Sequence, residues 1–343
     1  MATPTPSPQA PREVARNTAF VVLALIVIGL LAWKLAPVFL LLFGGILAAT
    51  ALRALAGPLE RRLGLKQGAA VALAVLVVFA VAGLLGWQIG DRMAAQLENL
   101  RERLPQALDA LTAWLNRHAV GLALLELWRD ARGADVPWAR VASAATLSVR
   151  AVFDLFLVLV IGIYLAANPG LYRRGVVSLV PRRWRSPIDD ALRQAGHALS
   201  RWLMGQVVSM SFVGSATAIG LALLGMPLAL SLGVIAATLG FIPFFGAIGS
   251  GVLVVLFAFV QGPTQALYVA ALCLGIQQAE NHLLVPLIQR WSVSLPPVLS
   301  IVAAVFFGVL FGVVGILLAA PLMVVSVVLV RRLYVEEVLE APA

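Results

Sequence analysis

The hydrophobic pattern of the chain is a series of apolar stretches separated by short polar segments. A helix needs about 20 apolar residues to cross the hydrocarbon core of a bilayer. Stretches that meet this requirement lie at residues 18–34, 37–56, 69–90, 149–168, 203–225 and 264–286. Two longer apolar stretches, 228–260 and 298–330, are interrupted by glycine and proline. The pattern predicts an all-α, polytopic helical membrane protein with about eight membrane segments.

Residues 91–147 differ from these stretches because they carry seven arginines and seven acidic residues. Such a segment cannot lie in lipid, so we expect it outside the membrane. Leucines recur in it every three or four residues, at Leu97, Leu100, Leu104, Leu108, Leu111 and Leu115. The spacing predicts an amphipathic helix that continues the third span and is kinked at Pro105. Its apolar stripe either packs on the protein's own helices or contacts another subunit of an oligomer.

The distribution of arginine and lysine orients the predicted helices. Residues 53–66 and 169–201 are rich in basic side chains, and short basic loops stay in the cytoplasm. The N-terminal tail, 1–17, and the arginine pair after residue 330 follow the same rule. The charges therefore predict cytoplasmic N- and C-termini, with residues 91–147 on the opposite side of the membrane.

This orientation constrains the two interrupted stretches, because each must begin and end on the same side of the membrane. Each is then either a re-entrant hairpin or a pair of short crossing helices. Glycine and proline predict the hairpin tips, at Gly240, Pro243 and Gly246 in the first stretch and at Gly312 and Gly315 in the second. A shift of 69 residues places Gly246 on Gly315. The match suggests an inverted internal repeat, as in many secondary transporters, although apolar glycine-rich sequence also aligns by chance.

Composition supports the membrane assignment and excludes other classes of protein. The 343 residues are 61% hydrophobic and 12% charged, with a mean hydropathy of +0.97. A net charge of +9 is then a sign of membrane orientation, and we predict no nucleic-acid partner. The single cysteine, Cys273, provides no disulfide or metal framework. Because the sequence carries no enzyme or nucleotide-binding motif, we predict no catalytic residue, no metal site and no cofactor.

Two acidic residues, Asp154 and Glu280, fall inside the apolar stretches. An ionisable side chain in a membrane segment is costly, so it is a candidate functional group. Asp154 follows Arg150 by one helical turn, which favours an ion pair at the membrane interface. Glu280 belongs to a dense polar run formed by Gln277, Gln278, Glu280, Asn281 and His282. No lysine or arginine of the same stretch neutralises Glu280, which makes it the stronger candidate.

Two interpretations of this polar run are compatible with the sequence. On a helix Gln277, Glu280 and Asn281 share one face, where they would contact a solute or an ion. Gln206, early in the span 203–225, would add a further hydrogen-bonding group. In the alternative, the same side chains hydrogen-bond to neighbouring helices and hold them together.

Short motifs in the C-terminal half occur in a characteristic order. They are Pro-Arg-Arg at 181–183, Trp-Leu-x-Gly-Gln at 202–206, Leu-Gly-Met-Pro at 224–227, Phe-Ile-Pro-Phe-Phe-Gly at 241–246, Gln-Ala-Glu-Asn at 278–281 followed by Pro286, and Gly-x-x-Gly-x-Leu-Leu-Ala-Ala-Pro at 312–321. With these motifs the chain resembles the autoinducer-2 exporter (AI-2E) family of bacterial inner-membrane permeases.

The resemblance implies a helical permease of the inner membrane that works as a homo-oligomer. Members of the family are associated with export of the quorum-sensing signal, and some with sodium or proton antiport. An exporter of a small polyhydroxylated molecule would use Gln206, Gln277, Gln278 and Asn281 as hydrogen-bonding groups. An antiporter would use Glu280, which is the acid available in the membrane.

We therefore divide the chain into a disordered cytoplasmic tail (1–17), N-terminal membrane helices (18–90), an amphipathic helical extracytoplasmic region (91–147) and a C-terminal transport region (148–343) with a basic cytoplasmic loop at 169–201. The predicted function is transport of a small polar solute, a monovalent cation or a proton across the lipid bilayer. The alternative from another class is a membrane scaffold or accessory subunit whose working surface is the region 91–147.

Overall fold

The computed structural model describes residues 10–117, 149–292 and 296–339, and all regular elements in these ranges are helices. The α-helices are α1 (Ala10–Leu63), α2 (Gln67–Asn116), α3 (Val149–Ala167), α4 (Pro169–Ser178), α5 (Arg185–Leu223), α6 (Ala229–Leu239), α7 (Phe245–Ala258), α8 (Pro263–Ala279), α9 (Val285–Gln289) and α10 (Pro297–Val330). Single 3-10 turns occupy Arg182–Trp184 and Phe259–Gln261, and π-helical segments occupy Glu280–Leu284 and Arg331–Leu339. The all-α prediction is confirmed for these residues.

The first two predicted spans, 18–34 and 37–56, are parts of one helix. α1 is 54 residues long and contains Pro37 without reversing direction. The prediction of two separate spans is therefore wrong. Proline removes one backbone hydrogen bond, which a membrane helix absorbs as a local distortion when no turn residues accompany it. A helix without a reversal has its ends on opposite sides of any bilayer it crosses once. The prediction that the N-terminal tail and residues 53–66 both lie in the cytoplasm is therefore not supported.

The third span continues into the amphipathic region as predicted, because α2 runs unbroken to Asn116 with Pro105 inside it. Its outer part packs on the protein's own chain. The Ala107 side chain is fully buried, and the Trp114 ring lies 5.7 Å from the ring of Phe259. This packing favours the intramolecular interpretation of the leucine stripe, although Leu108 is 46% exposed. The rest of the region, 118–147, lies outside the described residues.

The predicted end of the fourth span just before Pro169 is confirmed. α3 stops at Ala167, and α4 leaves it at an angle of 90°. The following segment, 169–201, is predicted as a loop but is mostly helical. Its charges lie on exposed faces of α4 and α5, while small apolar residues such as Ala191 and Ala195 are buried. A high charge density is typical of a loop, but it also fits the solvated side of an amphipathic helix.

α1, α2 and α3 form a helical layer with very close contacts. A Cβ atom on Gly162 would lie 2.8 Å from the Cβ of Ala48, so α3 approaches the backbone of α1. Alanines fill the space between the helices, including the fully buried Ala56, Ala70 and Ala166. Small residues at such an interface let helices pack closely in a membrane, where dispersion contacts replace the hydrophobic effect.

The first interrupted stretch is a helical hairpin. α6 and α7 contain 11 and 14 residues and are joined by a turn at residues 240–244. At 1.5 Å per residue the two arms are about 16 and 21 Å long, shorter than the roughly 30 Å hydrocarbon core of a bilayer. They also pack against each other. The stretch is therefore a hairpin of two short helices, which favours the re-entrant alternative, and its break coincides with the predicted tip.

The second interrupted stretch also folds back on itself. Gly312, inside α10, adopts φ 66° and ψ −146°, which no residue of a continuous helix has. Ala304 and Ala319 belong to one buried cluster, although a straight helix would separate them by about 22 Å. The backbone of Gly315 reaches the carbonyl group of Phe307. Both interrupted stretches thus reverse direction near their predicted tips, a geometry compatible with the parity argument.

By length and composition, the described ranges contain three helices able to cross a membrane, or four when the bent pair α3–α4 is taken as one span. The three are Lys34–Leu63, Arg182–Leu223 and Val298–Glu337, the last of which includes the reversal at Gly312. α6 and α7 are apolar but short. The protein is a helical membrane protein, and the total of about eight segments stays a prediction.

Candidate functional site

α5 lies between the first hairpin and the segment that carries Glu280. A Cβ atom on Gly214 would contact Ala237 of α6, and one on Gly220 would contact Leu272 of α8. Nearer its N-terminal end, Gly205 faces Ile288 of α9. Residues earlier in α5 therefore contact residues later in the neighbouring helices. Both neighbours, the hairpin helix α6 and the segment formed by α8 and α9, run antiparallel to α5. One face of α5 can therefore meet the hairpin tip and the polar run within a single turn.

Gln206 holds the tip of the first hairpin. Its Nε2 donates a hydrogen bond of 2.6 Å to the carbonyl oxygen of Gly240, the residue that caps the C-terminal end of α6. One turn earlier, the Trp202 ring meets the ring of Phe241 edge to face, with centroids 5.9 Å apart. A broken helix leaves carbonyl groups without their usual partners, and these must be satisfied inside the membrane. Gln206 supplies one such partner from another helix.

Ser209 and Glu280 form a second polar contact one turn further along α5. The Ser209 hydroxyl donates a hydrogen bond to Oε1 of Glu280, and both side chains are half-buried. Glu280 is also the first residue of the π-helical segment Glu280–Leu284. In such a segment the backbone hydrogen bonds skip one residue further than in an α-helix, and π-bulges are frequent at functional sites.

The other polar residues predicted for the site differ in their exposure. Gln277 is half-buried like Glu280, whereas Gln278, Asn281 and His282 are exposed on the surface of the described protein. The structure therefore brings together Gln206, Ser209 and Glu280 on one side of α5, a smaller set than the polar run indicated.

The predicted tip glycines mark close approaches of the backbone. A Cβ atom on Gly246 would collide with the carbonyl group of Leu239, and one on Gly315 with that of Phe307. Pro243 lies in the turn between α6 and α7, and Gly312 supplies the positive φ of the second tip. The second hairpin packs mainly on α5 and α1 among the described residues. The arm that follows Gly312 contacts α5, with Ala320 and Val324 in the same buried cluster as Trp202 and Leu203.

A separate concave region lies on another face of α5, towards the end of α10. This cleft has a volume of about 500 Å³ and is lined by Gln194, His197, Ala198, Ser200, Arg201 and Val328. Sequence reasoning did not assign it, because its polar residues look like ordinary charges of a basic segment. Among the described residues, no group of three or more His, Cys, Asp or Glu side chains is placed to hold a metal ion.

Loss of the Gln206 side chain should loosen the first hairpin tip. In Gln206→Ala the Gly240 carbonyl loses its partner, at a cost of about 1 kcal/mol, which corresponds to roughly fivefold faster local opening. Hydrogen–deuterium exchange of the peptide covering residues 240–246 measures this directly. The matched control is Gln278→Ala, which removes an exposed glutamine and should leave that peptide unchanged. Equal exchange in both variants would contradict the role assigned to Gln206.

Comparisons with known proteins identify sequence relatives of the chain. The sequence profile of a family described as "AI-2E family transporter" matches residues 20–334. "Putative transport protein MT0215" of Mycobacterium tuberculosis (strain CDC 1551 / Oshkosh) is 30% identical over 278 residues, covering 75% of this chain and 73% of that protein. "Putative transport protein YrrI" of Bacillus subtilis (strain 168) is 26% identical over 269 residues, covering 73% and 74% respectively. A second protein of that organism, "Putative transport protein YueF", is 24% identical over 270 residues, covering 73% of each.

Proposed function

The chain belongs to the AI-2E transporter family, and from this premise we propose that it is a secondary transporter that exports a small polar solute across the bacterial inner membrane. The solute would be of the autoinducer-2 type, a small molecule rich in hydroxyl groups. Gln206, Gln277, Gln278 and Asn281 are the proposed hydrogen-bonding partners of its hydroxyl groups. Transport would require no cofactor and no nucleotide.

One observation carries this proposal. Two residues one turn apart on α5, Gln206 and Ser209, contact the tip of the first hairpin and an acidic group of a membrane segment. Broken helices with polar groups beside them are where secondary transporters bind their substrates. Here the break, the amide and the carboxylate are all within reach of one helix face.

The Ser209–Glu280 contact supports coupling to an ion as a second candidate function. A carboxylate and a hydroxyl are oxygen ligands, which suit a hard monovalent cation such as sodium, and a carboxylate also accepts a proton. A sodium/proton-type cation antiporter therefore requires the same residues as an ion-driven exporter. In both cases Glu280 carries the coupling ion.

The basic residues of the segment 169–201 and of the C-terminal end support a cytoplasmic side for both, by the positive-inside rule. Assembly into a homo-oligomer stays a prediction that follows from the family.

Transport by the purified protein in liposomes tests the proposal. Proteoliposomes should release preloaded autoinducer-2, or exchange internal protons for external sodium, faster than protein-free liposomes do. A pH-sensitive dye inside the liposomes reports the second activity. If neither the signal molecule, sodium nor protons move faster than in protein-free liposomes, the transporter proposal is overturned.

A further inference from the structure

The short helix α4 has an apolar face that lies outside the protein core. Leu171, Tyr172, Val176 and Leu179, which follows the last helical residue, have exposed fractions of 59%, 40%, 51% and 86%. At 3.6 residues per turn these positions fall within an arc of about 140° on one side of the helix. Four large apolar side chains on one side of a ten-residue helix form a surface that needs a partner.

The opposite side of α4 is fixed to α5. Arg173 Nε lies 2.8 Å from Oδ1 of Asp189, and the other carboxylate oxygen of Asp189 is 2.6 Å from a guanidinium nitrogen of Arg193. Arg185 donates hydrogen bonds of 3.1 Å to the carbonyl oxygens of Ser178, the last residue of α4, and Val180, two residues beyond it. With one side of α4 held by these contacts, its apolar face must point away from α5.

The angle between α3 and α4 indicates what covers this face. α3 is apolar apart from Arg150 and Asp154 near its N-terminal end, and its Phe153, Leu155 and Phe156 side chains are exposed, as expected for a helix in lipid. α4 leaves it at 90° after a single residue, Asn168. A helix perpendicular to a membrane-crossing helix lies in the plane of the membrane surface. Amphipathic helices in that position bury their apolar face at the boundary of headgroups and acyl chains.

The charges around α4 specify the lipid. Residues 169–188 contain five arginines and no acidic residue. Arg174 extends from α4, and Arg182 and Arg183 follow in the next turn; all three are exposed. Arginine at the surface of a membrane is attracted by anionic phospholipids, whose phosphates it binds with a fork of parallel hydrogen bonds.

We propose that α4 and the turn at Arg182–Trp184 form an interfacial anchor that binds anionic phospholipids of the cytoplasmic leaflet. Leu171, Val176 and Leu179 enter the acyl region, and Arg174, Arg182 and Arg183 contact the headgroup phosphates. Through Asp189 the anchor fixes the start of α5, which is the helix that carries Gln206 and Ser209. Anionic lipid thereby sets the position of the helix on which the candidate site is built.

A spin label at position 179 identifies what covers the apolar face. The label is attached to Leu179→Cys in a background where Cys273 is replaced by Ala, and the protein is reconstituted in liposomes. We expect higher collision rates with oxygen, which dissolves in lipid, than with a water-soluble nickel chelate. A label at Arg174→Cys, on the polar side, should show the reverse order. Preferential collision with the nickel chelate at position 179 overturns the proposal in favour of a solvated helix. Protection from both reagents, with dipolar broadening, overturns it in favour of a second copy of the chain.

Binding of a fluorescent phosphatidylglycerol to the detergent-solubilised protein tests the lipid class. Arg182→Gln/Arg183→Gln should weaken binding by about an order of magnitude. The control pair is Arg103→Gln/Arg117→Gln, two exposed arginines within α2 and at its C-terminal end, which should bind like the parent protein. Unlabelled phosphatidylglycerol should displace the probe, whereas phosphatidylcholine and inorganic phosphate should not. Equal loss in both pairs, or equal displacement by phosphatidylcholine, would show that this surface does not select anionic lipid.

Discussion

Replacing Glu280 by Gln should reduce ion-coupled transport in proteoliposomes to the level of protein-free liposomes. The substitution keeps the size of the side chain and an oxygen that accepts the hydrogen bond from Ser209. It removes the negative charge and the ability to take up and release a proton. If Glu280 carries the coupling ion, no gradient can drive the Glu280→Gln variant even though it is folded. The measurement is the initial rate of sodium-driven proton movement, with autoinducer-2 efflux recorded in parallel.

Two further variants separate a coupling role from a structural one. Asp154→Asn neutralises the other acid of the apolar stretches and serves as the matched control, with an expected rate close to that of the parent protein. Ser209→Ala removes the hydroxyl donor but keeps the Glu280 carboxylate, so it should lower the rate without abolishing transport. An unchanged rate in Glu280→Gln would contradict the coupling role of this residue. Solute efflux that persists while proton movement stops would assign Glu280 to the ion alone.

The sequence identified Glu280 for a physical reason that is independent of tertiary structure. A charged group inside an apolar stretch is so costly that its position alone indicates a purpose. Its contact with Ser209 was not predictable, because the two residues are 71 positions apart and meet through the antiparallel alignment of α5 with α8 and α9. A serine in a membrane helix usually bonds to its own backbone, as Ser211 does to Val207, and so gives no comparable signal.

Some features of the fold were likewise predictable from local sequence, whereas others depend on contacts between distant residues. The breaks in the two hairpins could be predicted from Gly240, Pro243 and Gly312, because these residues fit badly in a continuous helix. The continuity of α1 could not be predicted, because a single proline such as Pro37 indicates a distortion but not how large the distortion is. Whether the charged segment 169–201 is loop or helix depends on contacts such as Arg173 with Asp189, which no local pattern contains.

The two hairpins have the same close backbone contact at glycines that the proposed internal repeat aligns. Gly246 and Gly315, which align at a shift of 69 residues, are both buried, and each approaches the carbonyl group of a residue in the preceding arm. These partners, Leu239 and Phe307, are themselves 68 residues apart. The correspondence to within one residue supports the hypothesis of an internal repeat, since chance alignment of glycines would not reproduce the same backbone contact.

Gly246→Ala should destabilise the protein more than any other single methyl addition in the first hairpin. The added Cβ would lie well inside van der Waals contact with the carbonyl carbon and oxygen of Leu239. A backbone group cannot move aside by changing a rotamer, so the two arms of the hairpin must separate. We expect a cost at the upper end of the overpacking range, about 3 kcal/mol. The measurement is the midpoint of thermal unfolding in detergent, followed by size-exclusion chromatography after heating.

Gly249→Ala is the matched control because it adds the same methyl group one turn further along α7. Its Cβ would meet open space in the described part of the chain, and alanine is favoured over glycine inside a helix by about 1 kcal/mol. The control should therefore unfold at the same temperature as the parent protein or slightly above it. A large loss of stability in Gly249→Ala, or none in Gly246→Ala, would contradict the close contact at the tip. If Gly246→Ala fails to accumulate, the protein yield of the two variants expressed in parallel replaces the unfolding midpoint, because only the substitution at position 246 creates the clash.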